Sequence, residues 1–372
     1  MRLAFAAAPP LSAEATPPTP AARAKPTRVR IDTAAHPGDA MPDNRQMLIA
    51  ALPSGPLQTS NFEMQTTPAP EPADGQVLCR TLAITIGAGQ RAGLQGSASY
   101  AGAPQIGGVM GGTGVAQVET SRAQGFAAGD LVMAPTGWQD YSLHHADALQ
   151  PVPAGTAPAL QLGGLGVNGI TAYFGLLDIG APKEGETVVV SAAAGSVGHL
   201  VGQIAKLQGC RVVGVAGSPA KCALLTDELG FDTAVNYKDA DFRAAFKAAT
   251  PDRIDVYFDN TGGDVLGSAI FRMNIKGRIV CCGAVSQYDT ANPAPGPRGI
   301  PGLLVNNRVR MEGFLVFDYA DRYAEARAQL REWIEAGQIT LKLSEYHGLD
   351  AAPQAFVDLL GGATTGATIV HI

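Results

Sequence analysis

At 372 residues, 46% hydrophobic and 16% charged, the chain is long enough to bury a substantial core and to form two domains. A net charge of -6 and a pI of about 5.5 argue against a general nucleic-acid or anionic-membrane binder. No uninterrupted apolar stretch reads as long enough to cross a bilayer. The five cysteines (Cys79, Cys210, Cys222, Cys281, Cys282) contain no C-x-x-C pair, which suits a reducing, cytoplasmic compartment. With the histidines they supply no zinc-ligand cluster, so no metal is expected.

Residues 1–42 are rich in alanine and proline and lack hydrophobic periodicity, which predicts an extended tail. Its basic residues raise a targeting role, but proline breaks its apolar start too early for a secretory core, and a plain disordered tail or a true start at Met41 is the favoured reading. From Asn44 to about Gly164 the chain reads as short strands between turns. The candidates are Arg45–Ala50, Phe62–Thr67, Val77–Ile86, the end of Gly107–Val118, and Leu131–Ala134. Such punctuation predicts a small barrel or folded-over sheet. Gly169–Leu177 has helical spacing and closes at Ile179–Pro182.

The next stretch carries the most chemistry. Thr187–Val190 is a β-branched run of the kind buried on both faces of a sheet. Small residues follow, and then Leu200, Val201, Ile204 and Leu207 recur at helical spacing. The spacing Ala193-x-Gly195-x-x-Gly198 matches a dinucleotide fingerprint with alanine in first place. A pyrophosphate must approach backbone N–H groups at the helix N-terminus, which a larger side chain at Gly195 would block, while Gly198 permits close helix–strand packing. Ser196 and Val197 lie inside the turn.

A second strand, Arg211–Ala216, ends where a ribose sensor belongs. Gly217, Ser218 and Lys221 stand there rather than a carboxylate, so nothing repels a 2′-phosphate and a lysine can neutralise it. The cofactor expected is NADP(H).

Alternating units continue: helix Ala223–Leu229, strand Thr233–Tyr237, helix Phe242–Ala249, strand Ile254–Asp259, helix Gly263–Met273, strand Gly277–Cys282. This predicts an α/β fold with a doubly wound parallel sheet, Asn260–Gly262 and Gly283–Val285 lining its ligand cleft. Cys281 and Cys282 read as small core residues. Asn292–Pro301 is a Pro/Gly loop near the cleft or simply at the surface. Arg310–Phe317 reads as a strand, Tyr323–Ala336 as an amphipathic helix, and Thr368–Val370 as a last strand returning to the first domain.

From Asn44 onward the chain resembles zinc-independent medium-chain dehydrogenase/reductases, in the branch of leukotriene hydroxydehydrogenase/prostaglandin, curcumin and plant double-bond reductases. The stretches that carry the resemblance are Asn44–Gln46, Glu71–Gly75, Gly137–Tyr141, Gly169–Gly175, Ala192–Gly198, Phe258–Gly263 and Cys282–Ser286. It implies a GroES-like domain over 43–165, a Rossmann NADP-binding domain over 166–340 and a return to the first domain over 341–372, in a homodimer. The implied reaction is NADPH-dependent reduction of the carbon–carbon double bond of α,β-unsaturated ketones or aldehydes. Lys221 and Tyr237 match positions at the 2′-phosphate, and Val316–Phe317 matches backbone beside the nicotinamide. Tyr288 matches a tyrosine credited with orienting substrate or assisting protonation.

Two stretches depart from the pattern. Gly89, within Gly87–Arg91, stands where the family carries a substrate-facing tyrosine, and Thr364–Ala367 replaces Asn-x-Gly-Lys. A quinone reductase of the same superfamily is a second reading, and the two departures keep open a third, an NADPH-binding sensor or structural protein with little catalysis.

Overall fold

The computed structural model describes residues 42–96, 104–292 and 296–372. The expected tail over 1–42 lies, but for Pro42, outside the described residues. Met41–Ile372 forms one compact unit.

The strand-rich half begins with β1 (Asp43–Ile49) and β2 (Phe62–Pro68), an antiparallel pair. β3 (Gln76–Ile86) follows, then a helix absent from the sequence reading, α1 (Ala88–Leu94). β4 (Gly114–Ser121), β5 (Leu131–Ala134), β6 (Tyr141–His145) and β7 (Gln150–Val152) complete the run. β3 organises this half. One edge pairs with β4 and the other with β6, antiparallel in both cases. Trp138, fully buried, stacks on Phe62 with ring centroids 5.3 Å apart and seals the core beneath.

α2 (Pro158–Gly163) and α3 (Val167–Phe174) lead into the second half, and a π-helical stretch Gly175–Gly180 extends α3. Pro158–Gly180 is long and apolar enough, by length and composition, to cross a bilayer, which corrects the sequence reading. Of its apolar window 67% is buried inside the protein, so it is accounted for as a core element.

The parallel sheet is built from β8 (Thr187–Val190), α4 (Gly198–Leu207), β9 (Arg211–Ala216), α5 (Pro219–Ala223), β10 (Thr233–Asn236), α6 (Phe242–Ala249), β11 (Ile254–Asp259), α7 (Gly263–Ile270) and β12 (Met273–Cys281). α8 (Ile300–Asn307) and β13 (Arg310–Gly313) close it. The strand order is β10-β9-β8-β11-β12-β13. Chain direction across the sheet reverses at β8, so the β8/β11 boundary is the switch point where such sheets open a ligand crevice. All four β8 residues are buried, as a doubly covered strand requires.

Several boundaries differ from expectation. The helix after β11 ends at Ile270, and β12 starts at Met273: Ile254 pairs with Met273 but Val256 with Arg278, an irregularity that hid the strand start. β13 stops at Gly313 rather than Phe317, because its partner ends at the paired Cys281. Val316–Arg322 is 3-10 helix instead, before α9 (Tyr323–Glu335). Pro301 lies inside α8, not in a loop, and residues 293–295 of that expected loop fall outside the described set.

The chain ends with β14 (Leu343–His347), α10 (Ala352–Leu360) and β15 (Ala367–His371). β15 pairs antiparallel with β3, from Thr368 opposite Ile86 to His371 opposite Ala83, while β14 joins it in parallel.

Candidate functional site

A cleft of about 1810 Å³ opens at the carboxyl ends of the parallel strands and runs between the two halves. At its centre the chain leaves β8 through Ala192, whose φ of 45° is left-handed, and turns into α4. A Cβ on Gly198 would sit 2.4 Å from Ala192 O, so only glycine lets the helix start this close to the strand. A Cβ on Gly195 would meet only Ala192 O, at 3.2 Å; the space above the turn is open to a ligand. The turn is braced from below. Buried His199 approaches Gly195 O with Nδ1 at 2.8 Å, and its Nε2 is 3.4 Å from Lys342 N.

Ten of the expected contacts line this cleft: Gly195, Ser196, Val197, Gly198, Lys221, Tyr237, Asn260, Gly283, Tyr288 and Phe317. Two stand back from it. Ala193 is fully buried, its N–H bonded to Val215 O, and its neighbours Ala192 and Ala194 line the cleft instead. Ser218 caps α5, its Oγ accepting from Lys221 N at 3.3 Å, which leaves the hydroxyl proton for an outward partner. The Ser196 hydroxyl donates to Gly366 O at 3.1 Å, so what Ser196 offers an anion is its backbone N–H.

The phosphate end is more cationic than the sequence reading suggested. Lys221 Nζ bonds Gly362 O at 2.8 Å, and its pKa is lowered by burial and then by the neighbouring charge of Lys238. Lys238 lines the cleft with Tyr237, and its Nζ lies 5.8 Å from that ring's centroid. Two close lysines repel one another until an anion lies between them. The signal for Lys238 was only its place beside Tyr237. Gly361 and Gly362, which had no local cue, and Thr364, marked in the sequence as a departure from the family motif, also line the cleft just before β15.

At the other end, Asn260 is locked against β8: Nδ2 bonds Ser191 O and its N–H bonds Ser191 Oγ, both at 2.8 Å. Asp259 beneath is buried and knots the turn, with Oδ1 accepting from Gly262 N, Tyr257 Oη, Thr261 N and Ser191 Oγ. Burial raises its pKa despite these donors. The Tyr288 hydroxyl accepts from Ala284 N at 3.1 Å, so its own proton remains free to point into the cleft. Burial pushes the Cys281 and Cys282 thiols up to about 11 and about 12, which removes them as nucleophiles. Among the described residues no group of three His, Cys, Asp or Glu side chains is placed to hold a metal.

The residues fit a dinucleotide: an open glycine turn at a ten-residue helix's N-terminus, two lysines at one end, and a mainly apolar lining in which Tyr288 is one of several hydroxyl-bearing residues. Comparisons with known proteins agree. Residues 45–152 match the family described as N-terminal domain of oxidoreductase, and 196–332 the family described as zinc-binding dehydrogenase. The chain is 39% identical over 336 residues to the NADPH-dependent curcumin reductase of Escherichia coli, covering 88% of this chain and 97% of that one. It is 43% identical over 266 residues to the 2-alkenal reductase (NADP(+)-dependent) of Nicotiana tabacum, covering 70% and 76%. The structure of CurA from Vibrio vulnificus in complex with NADPH superposes with a TM-score of 0.84 at 39% identity, covering 88% of this chain and 98% of that one. Fold, cleft and similarity over three quarters or more of each of these relatives lead to one assignment: the chain belongs to the zinc-independent NADP-dependent branch of the medium-chain dehydrogenase/reductases.

Proposed function

We propose that this chain is an NADPH-dependent reductase of the carbon–carbon double bond in α,β-unsaturated ketones and aldehydes. The observation that carries the reading is Tyr288: it lines the cleft with Gly283, and its hydroxyl accepts from Ala284 N, which leaves the hydroxyl proton for a bound ligand. Curcumin and 2-alkenals, the compounds in the names of the two relatives, both hold a double bond conjugated to a carbonyl.

NADPH, when bound, supplies the hydride that reaches the β-carbon. The chain supplies position and protons. Gly195, Val197 and Gly198 with the Ser196 N–H receive the pyrophosphate at the α4 N-terminus. Lys221, Lys238 and Tyr237, with the Ser218 hydroxyl, receive the 2′-phosphate. Asn260, Gly283 and Phe317 border the nicotinamide end. Ala193 supports the turn from beneath. Tyr288 Oη donates to the substrate carbonyl oxygen as charge develops there, or delivers the proton to the α-carbon.

We place the substrate domain at 43–165, the cofactor domain at 166–340 and the returning segment at 341–372, with pairing of β15 to β3 in support. A homodimer fits the exposed apolar side chains Phe271, Ile275 and Val305 and the outer edge of β13, unpaired among the described residues. Five free cysteines fit the cytoplasm.

The test is NADPH consumption, with NADH in parallel, against enones, enals and quinones, with product identification. Saturated ketone or aldehyde formed with NADPH supports the reading. Quinone turnover without double-bond saturation would replace it, and tight NADPH binding without any turnover would favour a sensor.

A further inference from the structure

Asp289 directly follows Tyr288, and three separate stretches of chain meet at its carboxylate. Oδ1 accepts from Arg91 Nε and from Leu57 N, each at 2.8 Å. Arg91 Nη2 donates in turn to Gly55 O at 2.8 Å. The Arg91 side chain is 1% exposed and that of Asp289 23%. Arg91 Nη1 has no partner among the described residues. Exposed ion pairs contribute little to stability, but burying a guanidinium is costly and needs partners held in place. The geometry of this pair is therefore tightly constrained, and breaking it leaves a buried charge behind.

Its location gives the constraint a use. Arg91 belongs to α1, whose Ala88, Gly89 and Gln90 line the cleft from the strand-rich half. Tyr288 and Asp289 leave the parallel sheet after β12. The ion pair thus joins the two walls one residue away from the tyrosine that faces substrate. The ring is fixed at its hydroxyl by Ala284 N and at its backbone by Asp289.

We propose that Arg91 and Asp289 are positioning residues for Tyr288, holding its hydroxyl at the substrate carbonyl when the two halves meet. Neither is among the residues that line the cleft. The proposal rests on the role given to Tyr288 above.

A double-mutant cycle tests it, with turnover, NADPH affinity and melting temperature measured for each variant. Asp289→Ala should lower turnover about 10- to 100-fold, the scale expected when a reacting group is misplaced by about 1 Å, with NADPH affinity kept. In a Tyr288→Phe background the same substitution should cost no further turnover, since the hydroxyl it positions is gone. Arg91→Lys should retain more turnover than Arg91→Met. Should Asp289→Ala fail to fold, Asp289→Asn in both backgrounds gives the same comparison. An equal loss in the two backgrounds, or a parallel loss of NADPH affinity, would make the pair merely structural and overturn the proposal. Unchanged turnover in Tyr288→Phe alone would instead overturn the role of Tyr288, and this proposal with it.

Discussion

Lys221 Nζ lies 2.8 Å from Gly362 O, so the lysine expected at the 2′-phosphate also ties the returning C-terminal segment to the cofactor domain. The carbonyl holds one of three ammonium protons and leaves two for a phosphate. Lys238 stands close enough to depress the Lys221 pKa, and the dianion would relieve that repulsion. Lys221→Ala and Lys238→Ala should therefore each weaken NADPH by about 10- to 100-fold while leaving NADH nearly unchanged, the scale of a lost hydrogen bond to a charged group. Fluorescence titration with both cofactors measures this. Equal weakening of both would show that neither lysine reads the phosphate.

Gly366 should tolerate no side chain. Its φ is 63°, and a Cβ would lie 1.9 Å from Lys342 O. Its N–H bonds Ala194 O at 2.8 Å and its carbonyl receives the Ser196 hydroxyl, so the residue laces the C-terminal turn to the glycine turn. Gly366→Ala should cost roughly 2–4 kcal/mol, combining backbone strain with a steric clash. It should also weaken NADPH and NADH alike, unlike the lysine variants. A denaturant midpoint equal to that of the parent would contradict this.

The parallel sheet was legible because its strands are short, β-branched and separated by helical periods: Thr187–Val190, Arg211–Ala216 and Ile254–Asp259 were read to the residue. α1 was not, since Ala-Gly-Gln-Arg-Ala-Gly-Leu carries two glycines and little apolar period. β14 was missed because Leu343–His347 buries none of its side chains fully and so shows no clean alternation. The cleft contacts on local motifs were found. Thr364 was marked only through the family resemblance; Lys238, which has no motif of its own, and Gly361, Gly362 and the Arg91–Asp289 pair, which depend on long-range packing, were not found. Arg91 and Asp289 are 198 positions apart, and no local pattern relates them.

His199 makes acid sensitivity measurable. Only a neutral ring can donate from Nδ1 to Gly195 O and accept at Nε2 from Lys342 N. Burial lowers its pKa from 6.5 to about 4. In the unfolded chain the ring protonates first, so its share of stability is intact above the unfolded pKa of about 6.5 and drains as pH falls toward 4. The loss should total about 3 kcal/mol and level off below the folded pKa. Urea titrations of the parent and of His199→Gln across that window should show a gentler slope for the variant, which has no imidazole to protonate. Identical slopes would remove His199 as the cause.

Gly89 should set how large a substrate the cleft accepts. It lies in α1 and lines the cleft with Gly87 and Ala88, where the family carries a tyrosine. Its φ is not left-handed, so the backbone does not demand glycine, and a side chain should gain up to about 1 kcal/mol of helix propensity. Gly89→Tyr should therefore fold at least as well as the parent. It should fill part of the apolar end and lower kcat/KM for bulky aryl enones more than for small enals, with NADPH affinity unchanged. Steady-state kinetics on a graded series of enones gives the answer. A uniform change across the series would mean that Gly89 faces the cleft without touching the substrate, and that the family's tyrosine has been replaced by some other wall.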